Sequence, residues 1–113
     1  MAQNNVKINP DVFKILKNLD DLAHGINASG IFAILVLHMN GKNVAKVPVS
    51  LLVKSSQAKA KAQGVDLNSN VSFRKTVSQT LQLLVKNHLI INQNLPLNND
   101  EVCYQVSPKM AQL

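Results

Sequence analysis

Apolar positions in this chain recur at the helical period along most of its length and at the strand period near its end. Val77, Leu81, Leu84, Val85 and His88 fall at i, i+4, i+7, i+8 and i+11, one stripe at a 3.6-residue repeat. Lys75, Gln79, Gln82 and Lys86 fall on the opposite face. The pattern predicts an amphipathic helix from Ser72 to Asn87, with the Ser72 hydroxyl as N-cap. Asn87-His88 is the expected stop, Asn87 taking the left-handed conformation that closes many helices. Val102, Tyr104 and Val106 then alternate with Cys103 and Gln105 as in a half-buried strand. A hairpin is expected over about 89–106, turning at Asn98-Asn99-Asp100-Glu101.

Upstream, residues 1–8 read as a short flexible lead. Asn9-Pro10-Asp11 is a helix start: a capping Asn, Pro at the first helical position and an acid in the first turn. Val12, Phe13, Leu16, Leu19, Leu22 and Ala23 make its apolar stripe, and Gly25 is the expected stop after His24. Asn27–Asn40 differs, because Ile31, Phe32, Ile34, Leu35, Val36, Leu37 and Met39 leave no face suited to water. Such a helix belongs at the centre of a fold. Val44–Val47 is expected to be a short strand pairing with the later hairpin. Pro48 opens a further helix, either continuous over about 49–63 or broken at Ser55-Ser56, with Gly64 as its end. Residues 65–71 are a polar connector. The expected core joins Ile31, Leu35, Leu51, Val77, Leu81, Leu84 and Leu89.

With 113 residues and 46% hydrophobic content, the chain should fold rather than remain disordered, and 4% aromatics with no Trp make the core aliphatic. No apolar run approaches the roughly 20 residues of a membrane span, and MAQNNVKINP lacks a signal-like apolar segment. A cytoplasmic protein without membrane association is expected, and a single Cys fits a reducing compartment. The net charge of +6 is unevenly placed: Lys42, Lys46, Lys54, Lys59, Lys61, Arg74, Lys75 and Lys86 share their stretch with Asp66 alone. Outside it, acids slightly outnumber bases. A basic middle between near-neutral ends suggests a surface held against a polyanion. His24, His38, His88 and Cys103 have no metal-ligand spacing. His38 is expected to be partly buried and hydrogen-bonded, and Cys103 to be a small packing residue. No phosphate-cradling Gly loop, carboxylate pair or nucleophile–base spacing is present, so neither enzymatic activity nor a cofactor is expected.

The order helix, core helix, strand, helix, helix, hairpin, with LQLLVKNHLI leading into the hairpin and VAKVPVSLLVKSS before it, resembles winged helix-turn-helix regulators of the MarR type over about residues 28–106. The sequence departs from that pattern in having His88 where Gly is usual, a longer connector before the third helix, and acids at the hairpin turn. The resemblance implies a mainly α fold with a small β-hairpin, in which residues 1–26 supply a lead and a dimerisation helix and residues 27–113 the winged-helix domain. It implies a sequence-specific double-stranded DNA-binding protein, a small transcriptional regulator acting as a homodimer. Ser72, Arg74, Lys75, Thr76, Ser78, Gln79 and Gln82 would then lie on the recognition helix. There Arg can clamp guanine, Gln can clamp adenine, and Lys or Ser can hold phosphate. Lys54, Lys59 and Lys61 would meet flanking phosphates. The alternatives are a protein-interaction module on the same scaffold, or a plasmid or phage replication or maintenance protein.

Overall fold

The computed structural model describes residues 6–22, 26–64, 73–93 and 100–112. In chain order these form β1 (Lys7–Ile8), α1 (Pro10–Asp20), α2 (Ala28–His38), β2 (Val44–Pro48), α3 (Val49–Ala62), α4 (Phe73–Lys86), β3 (Ile90–Asn92), β4 (Glu101–Val106) and β5 (Ala111–Gln112). The architecture is thus mixed: helices gathered around α2, a three-stranded antiparallel sheet ordered β2-β4-β3, and a two-stranded pair β1-β5. None of the described helices is long and apolar enough to cross a membrane.

Helix α1 begins as its sequence dictates, with the Asn9 side chain accepting from the Asp11 amide at 3.0 Å and Pro10 at the first helical position. Its Val12, Leu16 and Leu19 are buried in the common core. The helix stops at Asp20 instead of running to His24. The Asp20 carboxylate is committed to the next helix, accepting from the Ala28 amide at 2.6 Å and the Ser29 hydroxyl at 2.5 Å. The chain must turn back to make those bonds. The expected stop at Gly25 lies outside the described residues. Lys7 and Ile8 are not part of a loose lead, since they pair with Gln112 and Ala111.

Helix α2 carries an Asn27 cap that accepts from the Gly30 amide at 3.2 Å. Ala28, Ile31, Phe32, Leu35 and Val36 are buried, but Leu37 is 78% exposed, so the all-apolar helix is not covered on every side. It ends at His38, two residues before the expected limit, as Met39 bridges to Ala45. His38 is exposed, and its Nδ1 lies 2.9 Å from the Ile34 carbonyl oxygen.

The turn from α2 into β2 depends on Asn43, a residue no sequence pattern singles out. It is buried, holds φ at 63°, and its Nδ2 donates to the Val106 and Ala111 carbonyls at 3.2 and 2.6 Å. The Val106 amide donates back to the Asn43 carbonyl at 2.7 Å. One side chain therefore ties β2, β4 and β5 together, and Asn tolerates the left-handed backbone that places it there. Strand β2 pairs with β4 from Val44↔Gln105 to Pro48↔Glu101, and β3 pairs with β4 from Ile90↔Val106 to Asn92↔Tyr104. The antiparallel pairing is as expected, but Glu101 is a strand residue and not part of the turn. Asn98 and Asn99 lie outside the described residues. The simple alternation also fails in β4, where Cys103 and Val106 are buried while Val102 and Tyr104 are only partly so. Burial pushes the Tyr104 phenol above its usual value of 10.0.

Helix α3 is continuous through Ser55-Ser56 and closes at Gly64, whose φ of 78° supplies the left-handed stop. Helix α4 buries Phe73, Val77, Thr80, Leu81 and Leu84. At its end it is His88, not Asn87, that takes the left-handed conformation, at φ 62°. His88 N donates to Val85 O and Leu89 N to Leu84 O, both at 3.0 Å, the bond pair of a Schellman stop. The His88 side chain is consequently exposed and leaves the helix's apolar stripe. Leu84 and Leu89, both fully buried, complete the motif from the core side. Of the expected core, Leu51 is only partly buried; Ile31, Leu35, Val77, Leu81, Leu84 and Leu89 share one cluster.

Two substitutions test these backbone stops by urea unfolding. Asn43→Ala should cost about 2–4 kcal/mol, because it orphans buried carbonyls and leaves Ala in the left-handed region. His88→Gly should instead stabilise by about 0.5–1 kcal/mol, the relief at φ outweighing the added freedom of the unfolded chain.

Candidate nucleic-acid interface

Helix α4 turns a polar face outward because Phe73, Val77, Leu81 and Leu84 on its other side are buried. Arg74, Lys75, Ser78, Gln79, Gln82 and Lys86 are exposed along it. Thr76 is half-buried, and its carbonyl accepts from the Thr80 hydroxyl at 2.8 Å, which lets a polar side chain sit in the core. Ser72, the expected cap, lies outside the described residues.

Arg74 is held beside the hairpin. Its guanidinium donates to the Asp100 carboxylate at 3.1 Å, with the two side chains 62% and 72% exposed. The Asp100 carbonyl in turn accepts from the Val49 amide at 2.6 Å, anchoring the start of β4 to the start of α3. Glu101 lies 3.9 Å from the Lys46 ammonium. The two acids that make the hairpin look unsuited to phosphate are thus set against basic side chains of the domain itself. An exposed pair such as Arg74–Asp100 contributes about 0–1 kcal/mol, so exchanging Asp100 for a stronger acceptor costs little.

Helix α3 presents Lys54 and Lys61 on one outer face, seven residues apart. Lys59 does not join them. Its ammonium donates to the Ile26 carbonyl at 2.7 Å and lies 3.3 Å from Asp20 Oδ1, with 23% of the side chain exposed. Unlike Lys54 and Lys61, which were expected beside it at flanking phosphates, Lys59 fastens α3 to the junction between α1 and α2. The period placing Ala60 and Ser56 inside also turns position 59 toward that junction, but only the fold reveals the acid waiting there. A shallow cleft of about 390 Å³ lies beside the far half of α4, where Leu22 and Ile26 flank Gln79, Gln82 and Lys86. No local pattern in the chain brings the α1–α2 link alongside that face.

No protein-family model, curated protein or solved structure matches the chain.

Lys59→Ala should lower stability by about 1–2 kcal/mol by stripping Ile26 and Asp20 of their partner, whereas Lys61→Ala should stay within about 0.5 kcal/mol of wild type. Thermal or urea unfolding of both variants checks this distinction.

Proposed function

We propose that the chain is a winged helix-turn-helix protein that binds double-stranded DNA sequence-specifically, a small cytoplasmic transcriptional regulator working as a homodimer. The observation that carries this reading is the strand order β2-β4-β3, in which the strand between α2 and α3 joins the hairpin that follows α4. That connectivity leaves the polar face of α4 outward, with a two-stranded ribbon beside it. In this proposal the first turns of α4 enter the major groove, where Arg74 and Gln79 read base edges. Lys75, Thr76, Ser78 and Gln82 support them on bases or backbone, and Lys54 and Lys61 hold phosphates across the groove. The charge distribution agrees, since the positive excess lies in the stretch containing α3 and α4. The same interface would serve a plasmid or phage replication or maintenance protein.

A protein-interaction module is favoured by one specific feature: Arg74, the best base-reading candidate, is ion-paired to Asp100. Asp100→Asn decides between the two. It should tighten DNA binding severalfold if Arg74 must leave Asp100 to reach a base, and leave DNA affinity unchanged if α4 meets a protein.

The direct test is a titration on a duplex selected from random sequences and on a scrambled duplex, at several salt concentrations. Arg74→Ala and Gln79→Ala should each cost about 1–3 kcal/mol on the selected duplex and relax base choice. Lys54→Ala and Lys61→Ala should weaken both duplexes alike and reduce the salt slope by about one unit per lost phosphate contact. Absence of binding to either duplex at low salt would overturn the proposal.

A further inference from the structure

Three adjoining clefts surround Pro108, beyond the C-terminal end of α4. The largest, about 720 Å³, has apolar walls of Val85, Ile90 and Ile91, with His88, Asn92 and Lys109 beside them. Pro108 and Lys109 also line the second, about 420 Å³, which Lys7 borders. Pro108 and Gln112 line the third, about 290 Å³, together with Lys42.

The three lysines come from distant parts of the chain. Pairing of β1 with β5 sets Lys7 opposite Gln112, and the Asn43 bonds to Val106 and Ala111 bring Lys42 to the same end. All three are exposed and take part in no ion pair among the described residues. Among those residues no Asp or Glu lines any of the three clefts. Acids from the near-neutral ends of the sequence are engaged elsewhere: Asp20 with α2 and Lys59, Asp100 with Arg74, Glu101 with Lys46. The fold thus sets an uncompensated positive patch against an apolar cleft.

We infer that this surface docks an extended acidic segment of a partner protein, with one large apolar side chain as its anchor. The walls around Ile91, itself 46% exposed, take the anchor, and Lys109, Lys7 and Lys42 meet carboxylates farther along the segment. The backbone adds a third element. Ser107 N donates to Leu89 O at 2.9 Å, which fixes the phase of the β3–β4 ladder and turns the N–H and C=O of Asn92 away from β4. Asn92 is exposed on the edge strand, so a docked segment can add main-chain bonds there. Other occupants match less of the surface. A duplex would satisfy the lysines and leave the apolar walls wet. A small apolar acid would fill the largest cleft and reach Lys109, but leave Lys7 and Lys42 in the adjoining clefts unmatched. The cleft between α1 and α2, about 630 Å³, is also apolar, but no Lys, Arg or His lines it, so nothing there selects a partner by charge. The inference is independent of the DNA reading, which rests on the first turns of α4.

The test is selection of random displayed peptides of about ten residues, roughly 33 Å when extended, against the full chain. A selected peptide is then synthesised and titrated by fluorescence anisotropy. Selected peptides should combine two or more Asp or Glu with a Leu, Ile, Phe or Trp. Ile91→Glu, and Lys42→Glu combined with Lys109→Glu, should each weaken the peptide at least about tenfold. Added salt should weaken wild type more than the lysine variant. Leu37→Glu, in the cleft between α1 and α2, should leave peptide affinity unchanged. Circular dichroism checks folding; should Ile91→Glu unfold, Ile91→Thr keeps a strand-favouring side chain and should still weaken the peptide severalfold. Absence of any enriched peptide, or enriched peptides indifferent to these substitutions, would overturn the inference. So would lysine variants that weaken duplex binding but not peptide binding, since the patch would then be a phosphate contact. The DNA proposal fails separately: a chain that takes the peptide on this surface and binds no duplex loses only the DNA reading.

Discussion

Helix α2 is apolar on almost every side, and covering most of its circumference is the constraint to which the rest of the described chain answers. Its Ile31 and Leu35 are fully buried by the remaining helices and the sheet, while Phe32 and Val36 lie against α1. At about 25 cal/mol per Å² of apolar surface removed from water, this covering is the largest favourable term available to so small and aliphatic a core. The coverage is incomplete where Leu37 emerges. Where α4 sits and where the apolar cleft remains both follow from how α2 is wrapped.

The two ends of α2 show how that wrapping is held in register. At the N-terminus, Asp20 accepts from Ala28 and Ser29, Lys59 reaches Asp20 and the Ile26 carbonyl, and the Asn27 side chain donates to the Ser55 hydroxyl at 2.8 Å. Helices α1, α2 and α3 are thereby fixed to one another at a single junction. Beyond the C-terminus, Asn43 joins the start of β2 to β4 and β5. Such polar junctions add little net energy per bond, but each is costly to break once its groups are shielded from water. The first of them holds α3, which packs against α4, to α1 and α2.

Much of this was legible from periodicity. The stripes of α1 and α4, the apolar character of α2, the strand at Val44–Val47 and the Asn9-Pro10 start all carry strong local signals, and local signals decide where elements form. The misses share a different cause. His88 takes the left-handed position because Leu84 and Leu89 must meet in the core, a tertiary demand that overrides the local preference for Asn87. Helix α1 ends early because Asp20 serves α2, and Lys59 leaves the basic surface because Asp20 is there to receive it. Asn43 was invisible because its partners, Val106 and Ala111, lie far along the chain. For the candidate site, composition exposed the basic stretch and the helical period exposed the outer face of α4. Which cations are already occupied could be read only from the fold.

The outward face of α4 is the centre of the proposed function, and amide chemical-shift mapping tests it most directly. The labelled protein would be titrated with a short duplex carrying its selected sequence, and the perturbed amides placed on the fold. The proposal predicts shifts concentrated on residues 73–82 of α4 and around Lys54 and Lys61 of α3, with the α1–α2 cleft unaffected when the oligomeric state is unchanged. Shifts confined to α1 and α2, or an unchanged spectrum at low salt, would contradict it.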